Sequence, residues 1–209
     1  RFRWELRRII KDSGLTAIQV THDQEEAMTV ADRIIIMRNG NLLQEDSQEK
    51  LYKEPNSIFV GNFLGGLNIL EGYIYHIDYP SKYTVKVRLG GPKYLIEQEE
   101  DNFHLDENVV LAFRYENIYL FPKDYDYEGS RANWDGIVLT KGKVMERFLT
   151  GKERMYVVEM DNGDTIKEKK PQVFQYDFEI GEKIEIGIFP EDLHIYERPK
   201  NIKNELALQ

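Results

Sequence analysis

The sequence predicts an α/β part, residues 1–65, followed by an all-β part, residues 66–209, that contains a duplicated unit. Three observations predict this fold class. Apolar residues near the start of the chain recur at helical spacing. Beyond Leu64-Gly65-Gly66 the spacing changes to alternation, as expected for strands with one buried face. A fifteen-residue pattern then occurs twice in the alternating part, which is typical of a repeated structural unit.

The first part is expected to alternate helices with short strands. Its predicted elements are a helix over 1–12, a strand over 15–21, a helix from about 23 to 31, a strand over 34–37, a return strand from 42, and helices over 47–53 and 57–63. Asp23 and Glu26 are spaced as in a capping box at the start of the second helix. His22 is therefore expected at the end of a strand, facing a helix start. Asn39-Gly40 is typical of a hairpin turn.

The second part is expected to form a sandwich or small barrels, because it contains many short strands separated by turns. The candidate strands are 70–77, 83–89, 108–114, 117–121, 134–145, 154–160, 164–168, 183–188 and 193–196. Residues 161–164 predict a hairpin turn. The polar residues from 197 onward are expected to form a tail or a short helix.

The repeated pattern consists of residues 107–121 and 182–196, which match at a constant offset of 75. Both copies keep the alternation of apolar residues. Both also carry an acidic residue at the same step, Glu116 and Glu191. We expect the paired apolar positions Val109/Ile184, Leu111/Ile186 and Ile118/Leu193 to be equivalent and buried, with the two glutamates at equivalent turns.

Composition excludes several classes of protein. With 41% apolar, 31% charged and 12% aromatic residues in 209, the chain is neither disordered nor a membrane-spanning protein, and its apolar runs fall well short of the roughly 20 residues of a bilayer helix. The absence of cysteine excludes disulfides and thiol nucleophiles. Residues 1–62 carry nine basic and ten acidic side chains, so nearly all of the net charge of −9 lies further on. This charge repels phosphate backbones, so no nucleic-acid partner is expected.

A longer motif resembles a known family. Thr21-His22-Asp23-Gln24-Glu25-Glu26-Ala27-Met28, followed by Ala31-Asp32-Arg33-Ile34 and Met37-Arg38-Asn39-Gly40, resembles the switch-histidine segment of ATP-binding-cassette (ABC) transporter ATPases. Residues 59–65 resemble the end of that ATPase domain in importers of the maltose, polyamine, iron and sulfate type. The β part resembles their C-terminal transport-associated OB (TOBE) domain. The family's Arg-Pro-Glu step is split here between Arg114-Tyr115-Glu116 and Phe189-Pro190-Glu191.

The resemblance implies a fold and a function. Residues 1–65 would be the C-terminal part of the ABC ATPase domain, and residues 66–209 a duplicated OB-fold-like TOBE domain that regulates and dimerises. His22 would be the catalytic and ATP-binding residue that senses the γ-phosphate. A neutral imidazole suits this role, because it can hydrogen-bond a phosphate oxygen and an attacking water together. The junction over 65–70 is more similar to polyamine (spermidine or putrescine) and iron importers than to sugar importers.

The same resemblance implies cofactors, partners and location. ATP and Mg²⁺ would be used only by a longer protein, because this sequence has no P-loop: Gly142-Lys143 and Gly151-Lys152 lack the rest of that motif. The chain begins at Arg1 without an initiator methionine and is expected to be truncated, inactive alone and without a metal site of its own. The implied partners are membrane-spanning permease subunits, a second copy of the ATPase subunit and, indirectly, a solute-binding protein. The implied location is cytoplasmic, peripheral on the inner face of the cell membrane.

Other features have simpler interpretations. The charged run 167–170 and the acidic pairs Glu25/Glu26 and Glu191/Asp192 are interpreted as solvated surface charges. His76, His104 and His194 are interpreted as surface or strand residues. Aromatic residues outside the predicted strands are expected to anchor a homodimer interface, namely Tyr125, Tyr127, Phe174, Tyr176 and Phe178. The alternative function is an OB-fold module that binds a small ligand or an oligonucleotide, although acidity opposes the latter. An independent enzyme within the β part has no supporting group of residues.

Overall fold

The chain forms two compact units. The structure, a computed structural model, describes residues 2–78, 81–98, 103–127, 133–172 and 176–207. The first unit contains residues up to 65 and those from 203 onward, and the second contains residues 66–202. The predicted second domain extended to 209. The observed difference arises because Arg38 holds the C-terminal helix within the first unit, with Nη1 3.2 Å from Glu205 Oε1.

None of the helices in the described ranges has the length and apolar character needed to span a bilayer.

The first unit follows the predicted rhythm of helices and strands. Its elements are α1 (Phe2–Ser13), α2 (Gln24–Val30), β1 (Arg33–Arg38), β2 (Asn41–Ser47), α3 (Gln48–Lys53), α4 (Ile58–Phe63) and most of α5 (Ile202–Leu206). Asn39 and Gly40 both have positive φ, 51° and 78°, as the predicted hairpin turn between β1 and β2 requires. Ser47 and Ser57 cap α3 and α4 by accepting backbone N–H bonds. A small core forms around Leu51, Phe59 and Val60.

The predicted strand over 15–21 is wrong. These residues form no strand, and Ile18 and Val20 are 95% and 96% exposed. The sequence has the apolar, β-branched character of a buried strand. Pairing with a neighbour is also required, and no strand in the described part of the chain pairs with this segment. The segment therefore leads to His22 without being part of a sheet.

The second unit consists of two five-stranded antiparallel sheets. Its strands are β3 (Leu67–Asp78), β4 (Lys82–Val87), β5 (Lys93–Glu97), β6 (Asn108–Arg114), β7 (Ile118–Pro122), β8 (Val138–Leu149), β9 (Glu153–Met160), β10 (Thr165–Pro171), β11 (Lys183–Ile188) and β12 (His194–Glu197). The first sheet has the order β12-β6-β3-β4-β5, and the second has the order β7-β11-β8-β9-β10. The two orders are the same when β3–β7 are matched with β8–β12.

The two halves exchange their last strands. β7 follows the 3-10 turn Tyr115–Asn117 and pairs with β11 of the second half, while β12 follows the 3-10 turn Pro190–Asp192 and pairs with β6 of the first half. The repeat in the sequence did not predict this exchange, because both arrangements place the same apolar residues in the core. One continuous core therefore joins both sheets.

The predicted equivalence of the two copies is confirmed. Val109 faces Gly72 in the first sheet, and Ile184 faces Gly142 in the second, so the four residues form two equivalent pairs. All six predicted apolar positions are buried, and Glu116 and Glu191 lie in the two 3-10 turns. Two aromatic pairs, Tyr83/Phe103 and Tyr156/Phe178, also correspond, with ring centroids 5.5 and 5.7 Å apart.

One strand, β5, is not predicted by the sequence pattern. It is only five residues long and directly follows Leu89-Gly90-Gly91-Pro92. Leu89 and Gly90 both have positive φ and turn the chain back from β4 to β5. Tyr94 and Ile96 of β5 are buried in the core of the second unit. The strand lies at the edge of the first sheet.

Candidate functional site

His22 lies in the turn between the extended segment and α2. Its side chain is exposed and makes no hydrogen bond or ion pair with any described residue. The turn is fixed on both sides of the histidine: the Asp23 N–H donates to Thr21 Oγ1 at 3.0 Å, and Asp23 Oδ1 accepts from the Glu26 N–H at 2.9 Å. The imidazole is therefore positioned by its neighbours while both ring nitrogens stay accessible.

The predicted cap at the start of α2 is confirmed. Asp23 is the N-cap, and its interaction with the Glu26 N–H lowers the pKa of the Asp23 carboxyl below its usual value, with a further contribution from Arg3. Arg3 on α1 contacts both Asp23 and Glu25 at 2.7 Å. Glu25 is exposed, as predicted, but it takes part in this ion pair. The α1 helix thus holds the start of α2, and with it the backbone that carries His22.

A second contact fixes the other end of α2. Arg7 donates to the Val30 and Ala31 carbonyls and lies 2.9 Å from Asp32. Lys11 lies 2.7 Å from the same carboxylate, and this interaction lowers the pKa of Asp32. Ala31 and Asp32 belong to the motif on which the resemblance rests. Their role in this structure is to attach the motif to α1.

The residues present do not by themselves fit ATP or Mg²⁺. An exposed imidazole could contact a terminal phosphate oxygen, but no phosphate-binding loop exists in the sequence. Within the described ranges, no group of three or more His, Asp or Glu side chains is arranged to hold a metal ion. In the described part of the chain the exposed His22 imidazole is thus accompanied by neither a phosphate-binding loop nor a metal site.

The charged run 167–170 does not behave as predicted. Glu168 and Lys170 are buried, at 2% and 8% exposure, on the core side of β10. Burial raises the pKa of Glu168 to about 7, opposed by the charges of Lys170 and Arg154. Glu168 Oε2 has no hydrogen-bond partner among the described residues. All four residues of the run are charged, so the sequence shows no apolar alternation, although every second residue faces inward.

A further deviation concerns Asp192, which was predicted to be solvated. It lies in the second 3-10 turn, partly buried, and accepts a 2.8 Å hydrogen bond from Asn117, its equivalent in the first turn. Burial and the neighbouring Glu191 raise the pKa of Asp192 to about 6. Lys170 approaches the same region, donating to the Glu116 carbonyl and lying 4.2 Å from the Tyr119 ring centroid.

The described aromatic residues that were predicted to anchor an interface pack against other residues of the same chain. Phe178 is buried at 2% exposure. Tyr125 and Tyr127 pack on Phe121, with ring centroids 4.8 and 5.1 Å away. Tyr176 packs against the core, and Phe174 lies outside the described residues. The four described side chains thus pack within the second unit, so their presence in loops is not by itself a sign of an interface.

The comparisons with known proteins indicate a class of relatives, the ATP-binding subunits of solute importers, and the resemblance predicted from the sequence is confirmed. The relatives are named spermidine/putrescine import ATP-binding protein PotA. The protein from Borrelia garinii subsp. bavariensis is 31% identical over 191 residues, which is 91% of this chain and 48% of that protein. The protein from Clostridium acetobutylicum is 31% identical over 196 residues, covering 94% of this chain and 48% of that protein. The chain thus spans about half the length of the curated relatives it matches.

No family model matches the chain. Among solved structures, the cytoplasmic molybdate-binding protein ModG, with molybdate bound, superposes on 63% of this chain and 96% of its own, with a TM-score of 0.52 and 12% identity. At this identity the likeness shows the fold alone.

Proposed function

We propose that the chain forms the second half of the ATP-binding subunit of an ABC importer, with spermidine or putrescine as the transported solute. The similarity carries this proposal, since 91% of the chain matches a spermidine/putrescine import ATP-binding protein at 31% identity. ATP and Mg²⁺ would be bound chiefly by the other half. Membrane-spanning permease subunits, a second copy of the subunit and, indirectly, a solute-binding protein would be the partners, with the subunit on the cytoplasmic face of the cell membrane.

The surface of the first unit supports this proposal. Half of the exposed large apolar side chains in the described residues lie in its first 42 residues: Phe2, Trp4, Ile9, Leu15, Ile18, Val20, Ile35, Met37 and Leu42. Exposed apolar surface on this scale is typical of a face that another part of a protein covers. A two-stranded sheet such as β1–β2 is also marginally stable alone. Residues 1–65 are therefore better explained as the end of a larger ATPase domain than as an independent domain.

In the proposed mechanism His22 contributes by holding the reacting groups in place. Phosphoryl transfer requires mainly placement of the attacking water and stabilisation of charge. The imidazole of His22 would hydrogen-bond the γ-phosphate and that water, while Asp23 and Arg3 keep the turn in place. The β unit would regulate and dimerise the subunit.

The test uses the longer polypeptide that contains the ATPase half. His22→Ala should lower ATP turnover at least 100-fold while ATP binding stays within threefold, because the histidine acts on the reacting phosphate rather than on the nucleotide as a whole. His76→Ala is the matched control, since His76 is also exposed but lies in the β unit and should leave turnover unchanged. Equal turnover for His22→Ala and the natural protein would contradict the proposed role.

A further inference from the structure

The duplication places a groove on each side of the second unit. The first groove lies between edge strand β5 and the 3-10 turn Pro190–Asp192. The second groove lies between edge strand β10 and the 3-10 turn Tyr115–Asn117. Strand register makes Leu95 of the first groove equivalent to Lys167 of the second, and Phe189 equivalent to Arg114. The residues that line the two grooves can therefore be compared position by position.

The second groove is filled from within the chain. Buried Asn68 donates a 2.8 Å hydrogen bond to the Lys167 carbonyl and accepts a 2.7 Å bond from the Lys167 N–H. The side-chain amide thereby pairs with the free edge of β10 as a neighbouring strand would. The Tyr115 ring packs against Gly66, where a Cβ would lie 2.8 Å from the ring. The edge of the second sheet is thus covered at this point.

The first groove lacks these groups. Val138 takes the place of Asn68 and has no side-chain amide. Gly136, equivalent to Gly66, has nothing within 4 Å of its Cβ position. The groove has a volume of about 360 Å³. The second groove has the same strand arrangement but is filled. The open space in the first groove therefore results from Val138 in place of Asn68 and from the lack of a neighbouring side chain at Gly136.

The open groove exposes an unpaired peptide group of β5. Backbone bonds join Val87 to Pro92 and Gln98 to Ser81, and this register places Leu95 at a position where its N–H and C=O point away from β4. Neither group has a hydrogen-bond partner among the described residues. The Leu95 side chain is 54% exposed. A free donor and acceptor on one edge residue can pair with a further extended segment.

Charge indicates what kind of segment fits. The first groove is lined by the carboxylates of Glu97, Asp135 and Glu191. Asp135 and Glu191 make no ion pair with any described residue, while Glu97 lies 3.6 Å from Lys82. The second groove instead contains cations of its own chain. Lys169 stands at the position equivalent to Glu97, and Lys167 at the position equivalent to Leu95. In the first groove the cations must come from the occupant.

We propose that the first groove binds an extended, basic segment of a partner protein, which adds a strand to the edge of β5 at Leu95. The peptide group of the segment takes the position that the Asn68 amide occupies in the second groove. Its lysine or arginine side chains pair with Glu97, Asp135 and Glu191, and its apolar side chains contact Leu95 and Phe189. This inference does not depend on the transport function proposed above.

The probe is a terminally blocked octapeptide of alternating lysine and valine, added to the 209-residue chain. Trp134 is a natural reporter, because its ring stacks on Phe189 with centroids 6.4 Å apart. Trp4→Phe leaves it as the only tryptophan. We expect a saturable change in Trp134 fluorescence and at least tenfold slower hydrogen exchange at the Leu95 amide when the peptide is bound.

The decisive variant is Val138→Asn, which places an amide where Asn68 stands in the other half. It should weaken peptide binding at least tenfold by capping Leu95 from within. Leu95→Pro removes the free N–H donor without removing a hydrogen bond of the sheet, so it should also weaken peptide binding at least tenfold. This second variant keeps the test valid if Val138→Asn folds poorly. Glu191→Gln should weaken binding at least threefold, and Glu146→Gln, an exposed carboxylate outside the groove, should not.

Several results would overturn the inference. These are no binding at millimolar peptide, unchanged affinity in Val138→Asn and Leu95→Pro, or equal affinity for a backbone N-methylated peptide. Equal binding of a simple diamine would instead assign the groove to small cations. Fluorescence that depends on protein concentration and not on peptide would assign it to a second copy of the chain.

Discussion

At the scale of single residues, charge alone does not reveal what is buried. Glu168 and Ile96 occupy equivalent positions in the two halves, as do Lys170 and Gln98. In the first half Gln98 bonds to both the N–H and the carbonyl of Ile195, which joins β5 to β12 with a neutral group. In the second half two ionisable side chains, Glu168 and Lys170, occupy the equivalent positions. Burying charges costs free energy unless each is well paired.

Stability should therefore depend on pH through Glu168. Its pKa is raised from 4.5 to about 7 in the folded state, so the folded chain binds this proton more tightly than the unfolded chain. The contribution of this group to stability is then fully present below about pH 4.5 and is lost as pH rises through about 7, by on the order of 3 kcal/mol. Asp192, with a pKa raised to about 6, acts in the same direction.

We expect Glu168→Gln to flatten this dependence. Chemical denaturation at pH 5 and pH 8 should show a smaller loss of stability in the variant than in the natural chain, with a residual slope from Asp192. Glu146→Gln is the control, because Glu146 is exposed on β8. If Glu168→Gln and Glu146→Gln showed the same slope as the natural chain, burial of Glu168 would not be the cause.

At the scale of elements, local patterns predicted most helices and strands. Capping residues and apolar periodicity located α1 to α4 and nearly all strands of the second unit, because these features are encoded within a few neighbouring residues. The segment over 15–21 and β5 were predicted wrongly or missed, since both depend on pairing with distant residues. The strand exchange of β7 and β12 was missed for the same reason. His22 was proposed as a site residue from its motif alone and stays a prediction, whereas the grooves became visible only through strand register.

Two equivalent glycines should be required by the sheets. A Cβ at Gly142 would lie 2.6 Å from the Glu159 carbonyl oxygen, and one at Gly72 would lie 2.8 Å from the Lys86 carbonyl oxygen. Backbone atoms cannot move aside without disturbing strand pairing, so Gly142→Ala should cost about 2 kcal/mol. Gly151→Ala is the control, because its Cβ would meet nothing within 4 Å. Equal stability of the two variants in urea denaturation would show that β8 and β9 shift freely.

At the scale of the whole molecule, the proposed assembly is a homodimer of subunits. The described aromatic residues that pointed to it, Tyr125, Tyr127, Tyr176 and Phe178, pack within the chain, so the proposed dimer now rests on the importer relatives. The net charge of −9 opposes association. We expect the dimer to tighten as added salt shortens the Debye length from about 30 Å at 0.01 M to about 8 Å at 0.15 M. Sedimentation that gives a monomer at every salt and protein concentration would show that this chain does not pair by itself.

The central claim is that His22 belongs to a nucleotide site completed outside this chain. The most direct measurement is ATP hydrolysis and Mg-ATP binding by the purified 209-residue chain, compared with the longer polypeptide that includes the ATPase half. We predict no turnover and no binding at millimolar Mg-ATP for the chain alone, and turnover by the longer polypeptide. Turnover by the chain alone that is lost in His22→Ala would contradict the claim, because it would show a complete site within these 209 residues.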